Sequence, residues 1–149
     1  MSTSSYLYHG STRKIKGKIL LPSQADDLAK RPENLHCAVY ATDVKEIAIA
    51  MAIISCKGVM SSSLIFKQEP FGIIYEGWPK QKYVYLYTLP KREFEKTTAN
   101  EKQWISYKPV QPIKVQKLLV ADYLHLVREA TMRERDVFFK KYGKLLHPA

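Results

Sequence analysis

The most constraining feature of this sequence is a helix that leaves no face for water. Asp43-Val44-Lys45-Glu46 has the D-x-x-E form of a capping box, with Asp43 accepting from the first-turn backbone and Glu46 bonding back, so a helix start is predicted there. Val44, Ile47, Ala48, Met51 and Ala52 follow at helical spacing, while Ile49, Ile53 and Ile54 cover the other side. Such a helix is apolar nearly all round and has to be buried. Its end is expected near Lys57-Gly58, with glycine as the C-terminal stop.

The rest of the chain reads mainly as strands. Tyr6-Leu7-Tyr8-His9 is expected to be a strand that stops in a turn at Gly10-Ser11, and Cys37–Ala41 a buried strand stopped by Thr42-Asp43. Leu64-Ile65-Phe66, Gly72-Ile73-Ile74-Tyr75 and residues 83–89 are rich in β-branched and aromatic residues and read as successive antiparallel strands. Residues 23–34 read as a loop or a short irregular helix. A polar connection, residues 91–102, leads to Gln103-Trp104-Ile105-Ser106 and then to Ile113-Lys114-Val115, where Pro109 and Pro112 limit the strands to edge or irregular positions. Residues 122–146 place Leu126, Val127, Ala130, Val137, Phe138 and Tyr142 at mostly helical spacing, which predicts a C-terminal amphipathic helix. The expected fold class is α+β, in one domain spanning residues 1–149, since no repeat or linker divides the chain.

A hydrophobic content of 46% with 26% charged residues is that of a globular chain. The apolar run 47–54 is far shorter than the roughly 20 residues that span a bilayer, and residues 1–5 lack a basic segment leading into an apolar one. A cytoplasmic location with no membrane partner is therefore expected. Cys37 and Cys56 form no chelating pattern with the histidines, so no metal is expected and both thiols read as buried apolar fillers. The net charge of +10 should attract phosphates, nucleic acid or acidic proteins. Tyrosines mixed with lysines around residues 80–91 could stack bases, but read more simply as cross-strand pairs with solvated lysines. The chain has no G-x-S-x-G elbow, Walker loop or G-x-G-x-x-G turn, which removes the common hydrolase and phosphate-cradle classes.

Three pieces remain in order along the chain: Leu7-Tyr8-His9-Gly10-Ser11, then Val39-Tyr40-Ala41-Thr42 leading into the apolar helix, then Glu101-Lys102-Gln103-Trp104-Ile105-Ser106. This order resembles the histidine, tyrosine and glutamate strands of the NAD-dependent ADP-ribosyltransferase superfamily, in the branch of poly(ADP-ribose) polymerases, diphtheria-type toxins and small bacterial members. The resemblance covers most of the chain and implies split antiparallel sheets with a buried helix after the second motif strand. It also implies NAD as substrate, cleavage of the nicotinamide-ribose bond, and transfer of ADP-ribose to an acceptor, nucleic acid being one candidate. On this resemblance His9 donates a hydrogen bond to a ribose, Gly10 presents backbone to the nicotinamide amide, and Tyr40 stacks on the nicotinamide ring. Tyr8, Ser11, Thr42, Met51 and Ser106 would join Gly10 in lining the nucleotide pocket.

The sequence departs from the family pattern at two places. Gln103 stands where the family carries its glutamate, so the carboxylate would have to come from Glu101, which shares a face with Gln103 on an extended strand. On the helix, Ala48 and Met51 stand where the polymerases carry a serine and a tyrosine. A pocket that binds nucleotide or nucleic acid without turnover is thus the alternative. An NAD-dependent RNA 2′-phosphotransferase ranks last, because its Gln-Gly-His element is absent.

Overall fold

The computed structural model describes residues 5–15, 17–24, 37–97 and 102–146, and within them the chain is α+β. The strands are β1 (Tyr6–Ser11), β2 (Ser23–Gln24), β3 (Cys37–Ala41), β4 (Val59–Leu64), β5 (Gly72–Gly77), β6 (Tyr83–Pro90), β7 (Glu95–Lys96), β8 (Trp104–Ser106), β9 (Lys114–Leu119) and β10 (Val127–Glu129). The α-helices are α1 (Lys45–Ile54) and α2 (Met132–Leu146), and 3-10 helices form at Lys91–Glu93 and Val120–Leu126. Three sheets result, ordered β1-β6-β9, β10-β5-β4 and β2-β3-β8-β7. Their described pairings are antiparallel except for β10 on β5.

The apolar helix is buried as its pattern requires. Ile47, Ala48, Ala50 and Ile53 of α1 are fully covered and share one core with Ile74 of β5, with Val84 and Leu86 of β6, and with Leu126 and Val127. Two sheets thus clasp α1 from two sides, and each fully buried isoleucine contributes about 1.5–3 kcal/mol of transfer free energy. The first strand lies directly on the helix: a Cβ at Gly10 would overlap the backbone carbonyl of Ala48. Alternation along β1 turns Tyr8 and Gly10 towards α1 and turns Leu7 and His9 the other way. There Leu7 joins a second core with Val39, Ala41, Tyr87, Leu89 and Phe94, which ties the β1 sheet to the β3 sheet.

Several expectations are corrected by the structure. β1 continues through Gly10 and Ser11, which pair with Leu86 and Tyr85, so the turn begins only after Ser11. The capping box at Asp43 does not form. Thr42 is pinned by its bridge to Tyr8, its Oγ1 accepts the Val44 N–H at 3.1 Å, and Val44 becomes the N-cap one residue late. α1 ends at Ile54, and Gly58, at a φ of +100°, belongs to the turn beyond. The strand expected at residues 64–66 is β4, displaced towards the N-terminus and paired with β5. β6 pairs with β1 and β9 rather than with β5, because α1 stands between the two sheets. The tail is not one helix: Leu126 and Val127 are drawn into the core around α1, so that stretch forms a 3-10 turn and a strand, and α2 starts only at Met132. Cys37 is exposed, whereas Cys56 is buried as expected. Apart from Ser23 and Gln24, the segment read as loop or irregular helix lies outside the described residues. No helix among the described residues is long and apolar enough to cross a membrane.

Candidate functional site

β1 and β3 belong to different sheets and meet along one seam. Tyr8 and Thr42 exchange backbone hydrogen bonds of 2.7 and 2.9 Å. Beside them the His9 ring reaches across, with Nδ1 2.6 Å from the carbonyl oxygen of Tyr40. A carbonyl only accepts, so Nδ1 carries the proton and Nε2 of the neutral ring is an acceptor. No described residue partners Nε2. Burial pulls the imidazole below the ordinary histidine value and outweighs the Tyr40 hydrogen bond, which acts in the opposite direction. The ring is therefore neutral at pH 7. With Nδ1–H spent on the Tyr40 carbonyl, Nε2 of the neutral ring has a lone pair to offer and no proton to donate.

Tyr40 pairs with Ile105 of β8, and its side chain joins Ala38 and Ile105 on the opposite face of β3 from Val39 and Ala41. At 8% exposure, little of its ring is open to a stacking partner. Gln103 directly precedes β8, whose Trp104 pairs with Ala41, so it stands at the Thr42 end of the seam. Its side chain is buried, and its carbonyl accepts from the Thr97 N–H at 3.0 Å and from the Thr97 hydroxyl at 3.2 Å. Strand alternation assigns positions 103 and 105 to one face, the face of Tyr40. Glu101 lies outside the described residues.

The remaining candidates serve the local structure. Tyr8 packs on the α1 core, and Gly10 is bare because the helix backbone lies there, a use distinct from access for a ligand. Ser11 Oγ accepts from the Arg13 N–H at 3.3 Å and shapes the turn after β1. Thr42 is almost wholly buried and spends its hydroxyl on the start of α1. Ser106, equally covered, donates to the Lys108 carbonyl at 3.0 Å and closes a turn after β8. Met51 is half-buried on α1. The structure thus brings backbone positions 8, 9, 40, 42 and 103 together at one seam, while Ser11 and Ser106 end their strands and spend their hydroxyls on the turns that follow.

Two neighbours were not singled out from the sequence. Tyr87 is fully buried with its ring centroid 6.1 Å from that of His9, and its hydroxyl accepts from the Ile15 N–H at 2.8 Å and donates to the Arg13 carbonyl at 3.3 Å. Burial raises its pKa above the ordinary tyrosine value. The alternation of Tyr83, Tyr85 and Tyr87 was the available signal. Asp43, just beyond Thr42, has a buried Oδ1 without a hydrogen-bond partner among the described residues. A protein-family model matches nowhere on this chain, and neither the curated proteins nor the solved structures contain a match to it.

Proposed function

We propose that the chain is an enzyme of the ADP-ribosyltransferase type, which cleaves the nicotinamide-ribose bond of NAD and passes ADP-ribose to an acceptor. The observation that carries the reading is the 2.6 Å hydrogen bond of the His9 ring to the backbone carbonyl of Tyr40, because it joins the first two motif strands at the positions the resemblance selects. The approach of Gln103 to the same seam and the buried helix after β3 support it. His9 Nε2 fits a ribose hydroxyl as an acceptor, held in orientation by the Nδ1–H bond to the backbone. The Tyr40 ring would flank the nicotinamide once a little more of it is uncovered. Gln103 can hold a hydroxyl but supplies no charge to a developing cation. The chemistry then rests on positioning and on the dipoles of the seam.

The neutral glutamine is the specific feature that favours the second reading, a pocket that binds nucleotide without turnover. One experiment separates the two. Incubation with NAD should release nicotinamide, His9→Ala and Tyr40→Ala should abolish the release, and Gln103→Glu should raise it about tenfold or more. Binding of NAD with no nicotinamide released by either the wild type or Gln103→Glu would support the binding pocket. Equal release by wild type and both alanine variants would remove those side chains from the reaction.

A further inference from the structure

A cleft lined by cations and by no described acidic residue lies on the sheet face that carries His9. Antiparallel register sets Ser11, Tyr85 and Lys117 abreast, one pleat repeat beyond His9, Tyr87 and Val115, with Tyr83 a further repeat along β6. Each repeat is about 7 Å, so this end of the face is roughly 7–14 Å from the seam. Residues 12–14 fold back over it. Ile15 is tied to the Tyr87 hydroxyl, and Gln81 Nε2 donates to the carbonyls of Thr12 and Tyr83 at 2.5 and 2.7 Å. Between this loop and β6 opens a cleft of about 340 Å³, lined by residues 12–14, residues 81–83 and Tyr85.

Its lining has two chemical characters. Arg13, Lys14 and Lys82 are exposed at the cleft, none is in an ion pair with a described residue, and no described lining residue is acidic. Tyr83 and Tyr85 are half-buried, and cations already sit over the Tyr83 ring, with Lys117 Nζ 4.1 Å and Lys82 Nζ 5.5 Å from its centroid. Aromatic walls beneath unpaired cations suit a ligand with flat rings on an anionic backbone. We infer that this cleft binds single-stranded nucleic acid, with one base against Tyr83 and Tyr85 and the flanking phosphates on Arg13, Lys14 and Lys82. A volume near the low end of small-ligand pockets takes an unstacked nucleotide but no duplex, whose bases are shielded in their own stack. The net charge of +10 steers any such strand towards the protein. The inference stands on the cleft alone and does not depend on NAD being used.

The test is fluorescence anisotropy of the full chain, without NAD, against a labelled oligouridylate and a labelled RNA duplex over a range of salt. The single strand should bind more tightly than the duplex. The triple variant Arg13→Ala, Lys14→Ala, Lys82→Ala should weaken it at least about tenfold and flatten the slope of log affinity against log salt by about 2, the share of three phosphate contacts. Tyr85→Leu, with its fold checked by circular dichroism, should weaken binding roughly tenfold at an unchanged slope. A matched triple on α2, Arg133→Ala, Lys140→Ala, Lys141→Ala, should stay within about twofold of wild type. No binding, preference for the duplex, or equal losses from the two triples would overturn the assignment in favour of an empty cleft, a duplex surface or diffuse attraction.

Discussion

At His9 the fold and the proposed chemistry draw on different atoms of one ring. Nδ1 is committed to the Tyr40 carbonyl, which orients the imidazole and leaves Nε2 for a ligand. The surroundings oppose a charge, so the folded pKa lies below that of the unfolded chain, about 6.5. Between the two values the unfolded chain binds more protons, and stability rises with pH. The contribution is complete above about pH 6.5 and is lost as the pH falls through the lower folded value. Thermal melts of wild type should therefore drop when the pH is lowered from about 7.5 to 5.5, and the drop should be smaller in His9→Gln. Parallel curves for the two proteins would show that other groups carry the effect. Glu134 does not blur the reading, because the Arg128 hydrogen bonds, followed by the Thr131 N–H, pull its carboxyl down to about 2. Its stability contribution is lost only at much lower pH.

At the scale of the element, two sequence patterns of the same form met different fates. Thr131 and Glu134 make the reciprocal box that was expected at Asp43 and Glu46: Thr131 N–H donates to Glu134 Oε1 at 2.8 Å, and Glu134 N–H donates to Thr131 Oγ1 at 3.1 Å. The Glu134 carboxylate also takes a two-pronged hydrogen bond from Arg128 at 2.7 and 2.9 Å. Thr131→Ala should therefore lower stability by about 1 kcal/mol in urea denaturation, the usual loss for an N-cap. An unchanged midpoint would mean that α2 is held by Phe138, stacked on Tyr75 with ring centroids 4.0 Å apart, and hardly by its cap. Asp43 fails for a reason outside its own tetrapeptide, since the bridge from Tyr8 holds Thr42 and sets where helical backbone begins. The same division decides what could be read in advance. β1, β3, α1 and β8 were legible because their signals lie in consecutive residues. The parallel pairing of β10 with β5 and the parting of β5 from β6 were not, because both depend on where α1 is inserted. At the site, the order of His9, Tyr40 and Gln103 was legible, while the tautomer of His9 and the covering of Tyr40 depend on which strands become neighbours.

Across the whole molecule, α1 is the common support of two sheets, and the candidate site lies where the third is fastened to one of them. The core around Ile53 includes side chains of both β5 and β6. The β3 sheet instead holds to β1 through the Tyr8–Thr42 bridge, the His9 hydrogen bond and the core around Leu7 and Tyr87. Ile53 is fully buried, so Ile53→Ala should cost about 2–5 kcal/mol, the range for large-to-small core changes. Because one helix serves both sheets, the amides of β5 and β6 should lose hydrogen-exchange protection together and by the same free energy. The Tyr8 and Thr42 amides, which exchange by opening at the seam, should be slowed less by native structure to begin with, and should change less on substitution. The opposite result, with β5 deprotected while β6 keeps its wild-type exchange, would mean that the two sheets open independently and that α1 does not couple them. A seam that opens more easily than the clasp around α1 would also allow Tyr40 to be uncovered without unfolding the helix, and the exchange of the Tyr8 and Thr42 amides, which donate across the seam, measures that opening directly.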